Sequence, residues 1–152
     1  MNMQLTPKER SLIQDLKGQE QLCIDKYNRG AASAVDGQLK GLFTQIARTE
    51  QQHLDTLTQI ENGTVPQPSN GAAQMPTFTA TYTDAPSPDK ENDCYLCTDA
   101  LTTEKHASTL YDTCIFEFKD ENTRKVLGHI QGEEQGHGKM IYDYMQANHM
   151  YS

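Results

Sequence analysis

Glu20, Glu50 and His53 recur in this chain as Glu104, Glu134 and His137, with 50 − 20 and 134 − 104 both equal to 30 and each histidine three residues after its glutamate. On an α-helix, positions i and i+3 lie on one side, so each Glu-x-x-His pair presents both side chains together. Two helical hairpins that each supply a Glu and then a Glu-x-x-His form the inward-facing ligand set of a two-metal site in a four-helix bundle. Four carboxylates buried together repel and are forced to protonate unless cations join them. Two divalent ions balance the charge, since 4 × (−1) + 2 × (+2) = 0 for Glu20, Glu50, Glu104 and Glu134. Carboxylate oxygens with one imidazole per metal suit two iron ions or manganese, with zinc as an adventitious occupant.

The competing reading is that these glutamates make ordinary helix ion pairs. Lys17, three residues before Glu20, is its best support; the other three glutamates have no Lys or Arg at a core-facing neighbour. Tyr27 and Tyr111 each follow their Glu by seven residues, nearly in line with it. There they either donate hydrogen bonds to ligand carboxylates, lie on a radical path, or simply pack with a satisfied hydroxyl. Cys23 falls one turn after Glu20, a place that favours inert packing over metal contact. Cys94 and Cys97 form a single C-x-x-C at the expected start of the third helix, where the helix dipole can lower a thiol pKa; one pair is too few for a four-thiolate iron site. Either a reversible disulfide or no role follows, and a reducing cytosol favours the second.

The elements that must position these residues are four helices. Thr6, Pro7 and Glu9 form a helix start with a capping box, and apolar residues from Leu12 to Ala31 keep helical spacing. Asp36-Gly37 separates this helix from a second, whose stripe runs from Leu39 to Ile60 and stops at Asn62-Gly63. Residues 63–90 lose periodicity and hold Pro66, Pro68, Pro76, Pro86 and Pro88, which reads as a long connection. A third helix is expected from about Glu91 to Phe118. Asp120 or Asn122 then caps a fourth that runs to about Asn148. The chain thus reads as one domain of 152 residues, with hairpins over 7–62 and 91–149 joined by 63–90. At an offset of 84, Leu12 aligns with Leu96, Tyr27 with Tyr111, Asp36 with Asp120 and Ile46 with Ile130, as do the six ligand candidates. A connection of this length favours a crossover along the whole bundle over a simple up-down-up-down path, with the second hairpin taken to start at the same end as the first. Gly128, Gly132 and Gly136 recur every four residues on the fourth helix, away from the ligand face. They suggest either a close backbone contact, from a second subunit or the connection, or a merely weak exposed helix. His106, His129 and His149 have no partner spacing and read as solvated.

Lys plus Arg is 13 and Asp plus Glu is 21, a net charge of −8, which argues against nucleic acid or an anionic membrane as partner. No apolar run approaches a membrane span and no signal-peptide core opens the sequence, so a cytoplasmic protein is expected. The four cysteines do not resemble a secreted disulfide framework.

The stretches LTPKERSLIQDLKGQEQLCIDKY, DGQLKGLFTQIARTEQQHLDTL, EKHASTLYD and GHIQGEEQGHGKM resemble the ferritin-like di-iron carboxylate superfamily, and within it are most similar to the Coat F family of spore coat-related proteins. That resemblance implies an all-α ferritin-like four-helix bundle of two repeated hairpins, with a di-iron or di-manganese centre acting on oxygen or hydrogen peroxide. Glu20 and Glu104 would be terminal ligands, Glu50 and Glu134 bridges, and His53 and His137 one ligand per metal. It also implies deposition in the spore coat, with other coat proteins or further copies of the chain as partners. Rubrerythrins commonly carry an extra carboxylate within a turn of the third-helix Glu; here those positions are Ala107 and Ser108. The alternative is a structural coat component whose metals only hold the bundle together.

Overall fold

The computed structural model describes residues 3–68 and 75–151. Among them the chain is all-helical, with α1 (Pro7–Ser33), α2 (Gly37–Glu61), α3 (Pro88–Glu117) and α4 (Glu121–Ala147) and no strand. The capping chemistry sets the boundaries. Glu9 N donates to Thr6 Oγ1 at 3.1 Å and Thr6 N to Glu9 Oε1 at 2.9 Å, closing the capping box with Pro7 at the first turn. Asp36 caps α2, and Asp120 rather than Asn122 caps α4. Gly63, at φ 90°, follows the end of α2 in a left-handed conformation that suits glycine. The expected start of α3 at Glu91 moves back to Pro88. Ser87 accepts from Lys90 N at 3.1 Å, and a proline in the first turn has no intrahelical donor to lose. The last proline of the connection therefore opens a helix instead of prolonging a loop.

Each helix lies against two others: α1 on α2 and α3, and α4 on α3 and α2. Hydrogen bonds at the helix ends fix their directions. Lys119 N, after α3, donates to Glu9 Oε2 at the start of α1 (3.0 Å), while Val35 N and Asp36 N, after α1, donate to Asp93 near the start of α3 (2.8 and 2.9 Å). Tyr144, near the end of α4, donates to Asp36 before α2 at 2.8 Å. Neighbouring helices are thus antiparallel throughout. Met3 N donates to Gly63 O at 2.9 Å, so α2 ends beside the start of α1, whereas α3 begins beside the end of α1. This corrects one expectation: the second hairpin starts at the opposite end from the first. The length of 63–90 is needed for that reason, because α2 has already returned to the first end. Pro66 and Pro68 border His53, Met75 borders Gly132 and Gly136, and Phe78 meets Tyr144 edge-on, with ring centroids 5.4 Å apart. The connection accordingly follows the α2/α4 side; its residues 69–74 lie outside the described part.

The core is two apolar clusters. One gathers Tyr27, Phe43, Ile46, Cys97, Met140 and Tyr144; the other gathers Ile13, Leu16, Leu57, Tyr111, Leu127 and Ile130. In every helix the interval between the two clusters holds the Glu or the Glu-x-x-His. At Gly30 the helices α1 and α2 come close, since a Cβ there would stand 2.9 Å from Phe43 Cδ2.

Glu9 serves two helix ends at once, through Thr6 N and Lys119 N. Glu9→Ala is expected to lower the unfolding free energy by about 1–3 kcal/mol in urea titration. An unchanged midpoint would show that this double cap adds no stability.

Candidate metal centre

The six side chains expected as ligands converge in the middle of the helices, and none is more than 4 % exposed. Ligand atoms of Glu20, Glu50, His53 and Glu134 all lie within 4.8 Å of one another, as do those of Glu50, Glu104, Glu134 and His137. Glu50 and Glu134 are common to both groups. The two outer carboxylates, Glu20 and Glu104, each belong to one group with one histidine.

Both imidazoles turn Nδ1 inward. His53 Nδ1 lies 3.2 Å from Glu134, 3.6 Å from Glu20 and 3.8 Å from Glu50; His137 Nδ1 lies 2.9 Å from Glu50, 3.4 Å from Glu104 and 3.6 Å from Glu134. None of these approaches has hydrogen-bond geometry. Among the described residues, eight buried side-chain atoms lack a hydrogen-bond partner, and all belong to this set: Glu20 Oε2, both oxygens of Glu50 and of Glu134, Glu104 Oε2, and Nδ1 of His53 and His137. Buried polar atoms without partners are costly and rare, so eight at one point call for an unseen partner. Their chemistry, carboxylate oxygen and imidazole nitrogen aimed at shared points, fits a pair of divalent cations.

Without cations, protons have to take their place. Burial pushes Glu104 well above the usual carboxylate range, and the neighbouring Glu134 carboxylate pushes it further. For Glu134 burial acts in the same direction but is outweighed by the close approach of Glu104, His137 and His53, and its pKa is lowered. Burial pulls both imidazoles down, yet the surrounding carboxylates more than offset it and hold His53 and His137 well above the ordinary histidine value.

The supporting residues divide into expected and missed. Tyr27 Oη donates to Glu104 Oε1 and Tyr111 Oη to Glu20 Oε1, so each tyrosine crosses to the other hairpin's carboxylate. Burial first, and then those carboxylates, raise both phenol pKa values well above normal, which keeps the hydroxyls as donors. Lys17 pairs with Glu61 at 3.0 Å and leaves Glu20 alone, which removes the main support for an ordinary ion pair. Glu133 was not anticipated. Its Oε1 lies 3.0 Å from His53 Nε2 and 3.3 Å from His129 Nε2, and the bond to His53 holds its pKa below the usual range. His129 is therefore paired rather than merely solvated. The signal was present as a His129/Glu133 pair at i, i+4 beside Glu134, but such pairs are routine on solvated helix faces.

The cysteines and glycines stand as follows. Cys23 is buried and, among the described residues, is outside both ligand groups; burial, followed by Glu50 and Glu20, raises its thiol pKa. Cys94 and Cys97 lie beyond the first turn of α3, and burial raises the Cys97 pKa instead of the dipole lowering it; all four cysteines are free. Gly132 and Gly136 line a cavity of about 340 Å³ between α2 and α4, and a Cβ at Gly128, Gly132 or Gly136 would meet no described atom within 4 Å. Of the two readings of this stripe, a close backbone contact is thus not found among the described residues.

Residues 92–152 match the family model of the Coat F domain, which supports the Coat F family; Glu104, Glu134 and His137 fall inside the matched span. No curated protein and no solved structure matches the chain. Among the described residues no helix is long and apolar enough to cross a membrane.

Because His53, His137 and Glu104 all hold protons more tightly than usual, a metal must displace them to bind. Affinity is then expected to rise with pH across the neutral range, with log K gaining up to ~1 per pH unit for each proton displaced. Calorimetry with Co(II) in buffers of different ionisation enthalpy checks this through the protons released. A pH-independent affinity without proton release would contradict it.

Proposed function

We propose that this chain is a ferritin-like dinuclear metal protein associated with the spore coat, in which Glu20, Glu50, His53, Glu104, Glu134 and His137 hold two iron or manganese ions for redox chemistry with oxygen or hydrogen peroxide. One observation carries the metal reading: the eight unpartnered buried atoms all belong to these six residues. The Coat F match supports the association with the coat. In this reading Glu50 and Glu134, common to both ligand groups, bridge the metals, while Glu20 and Glu104 are terminal.

Held by these six residues, a pair of ferrous ions would be able to supply two electrons to an oxygen or peroxide substrate. The protein's own part is positional. Tyr27 and Tyr111 each occupy one oxygen of an outer carboxylate and leave the other buried without a hydrogen-bond partner. Glu133, a carboxylate, accepts from His53 Nε2–H, which favours the tautomer whose Nδ1 is free to be a ligand. The apolar clusters above and below shield the carboxylates along the bundle axis, and a less polar surrounding strengthens their hold on cations.

A second reading, a structural coat component with inert metals, draws on the near-complete burial of the six side chains. Against it, His137 lines a cavity of about 340 Å³, and Glu104 and Glu134 line another of about 560 Å³.

The two readings share one test and part at the next. Protein loaded anaerobically with Fe(II) is expected to retain two equivalents of metal. Glu50→Ala combined with Glu134→Ala should reduce this to none while far-UV dichroism shows an intact helical fold, since the change removes buried charge. Retention of two equivalents by that variant would refute the bridging roles. Rapid oxidation of the loaded wild type by peroxide supports the redox reading, and a ferrous form inert to oxygen and peroxide supports the structural one.

A further inference from the structure

The two hairpins are alike along the ligand positions but differ beside them. At the offset of 84, buried Ile24 of α1 is replaced by Ser108 in α3, and Leu54 of α2 by Gly138 in α4. Two branched side chains are thus exchanged for a hydroxymethyl group and a hydrogen, both on the second hairpin. Where they are missing, a groove of about 560 Å³ opens between α3 and α4. Its floor includes Glu104 and Glu134, one terminal and one bridging carboxylate of the proposed centre.

The groove has the character of a small-molecule site. Its volume falls in the usual range for such pockets, and an apolar wall with a few polar groups is their usual make-up. Leu101, Tyr142 and Tyr151 supply the wall; the two tyrosine rings meet edge-on with centroids 5.0 Å apart. Lys105 lines the groove and makes no ion pair among the described residues, so a net-negative protein places a free cation beside the metal ligands. Lys139 at the rim is already paired with Asp143. On the α2/α4 side, by contrast, the connecting segment lies over the helices and Glu133 already occupies His53 Nε2.

We propose that this groove, gated by Ser108 and Gly138, binds a small organic carboxylate, with its head toward the Glu104–Glu134 edge of the site and its apolar body against Leu101, Tyr142 and Tyr151. The inference rests on the metal reading above. A Cβ added at position 138 fits, since outside its own helix backbone it meets only Leu101 Cδ2, at 3.9 Å, and further atoms would extend from there into the groove.

The test uses the full chain loaded with Co(II), whose visible absorption reports its coordination, titrated with benzoate. A saturable spectral change is expected, with benzoate binding at least ~10-fold more tightly than acetate because its ring leaves water. Ser108→Ile with Gly138→Leu should still take up two cobalt ions yet lose the benzoate response. Lys105→Glu, at the wall, should retain the metals and weaken benzoate at least fivefold on the order expected for reversing a nearby charge; it decides the matter if the double variant takes up cobalt poorly. Two bound cobalt ions with no response to benzoate, or an undiminished response in these variants, overturns the groove alone. Failure of the wild type to take up cobalt overturns the metal reading, and this proposal with it.

Discussion

Six ionisable side chains buried at one level of the molecule are the constraint on which the rest of the structure depends. They interrupt the core in every helix and leave two apolar clusters with a charged layer between them. An uncompensated charge in such a place costs several kcal/mol. A bundle with that layer therefore needs either counter-charges within the layer or enough cohesion on both sides to hold it closed. The raised proton affinities of Glu104 and both histidines show the first device in its weaker, metal-free form. The two clusters supply the second.

Cohesion across the layer comes from hydrogen bonds that join one hairpin to the other, and these occur in matched pairs. Glu9 accepts from Lys119 N, and 84 residues on, Asp93 accepts from Val35 N, whose position corresponds to Lys119. Tyr27 reaches Glu104, while its counterpart Tyr111 reaches Glu20. Each pair converts a residue at the end or centre of one hairpin into a partner for the other. The hairpins cannot slide along one another without breaking the caps at both ends and the tyrosine bonds in the middle. Fixed register is what a shared ligand set requires, because a shift of one helical turn, about 5.4 Å, would separate Glu134 from Glu20 and His53.

Much of this was legible in the sequence because it depends on local chemistry. Helix starts at Thr6, Asp36 and Asp120 follow from side chains that accept from their own first turns, and the six ligand candidates follow from spacing along those helices. What was not legible depends on relations that local pattern does not encode. Pro88 has the same chemistry at the end of a loop as at the start of a helix, and only Ser87 beside it decides. The end at which α3 begins is set by Asp93 reaching the turn at Val35 and Asp36, a contact between residues 57 and 58 positions apart. Lys17 sits at helical spacing from Glu20 but finds Glu61 on α2, again a tertiary choice. Glu133 looked like any charged residue on an exposed face until the fold set His53 against it.

That contact makes the two halves of the centre unequal. His53 is backed by Glu133, which raises the basicity of the imidazole and fixes its orientation. The position that corresponds to Glu133 in the first hairpin is Thr49, whose hydroxyl turns to Gln45 O, and among the described residues none backs the far nitrogen of His137. The side chains removed beside the ligands, at Ser108 and Gly138, flank Glu104, the carboxylate grouped with His137. Firmer support thus falls on the Glu20/His53 half, which has a cavity of about 200 Å³ beside His53, and weaker support with the larger groove of about 560 Å³ on the Glu104/His137 half. A centre built only to hold the bundle together has no use for that division, since both ions would serve best in closed, well-backed positions. In the proposed redox reading, a centre that must keep its metals and still admit a substrate would benefit from it: one half would retain and the other exchange. The departures from repetition, more than the repetition itself, favour a working site over a structural one.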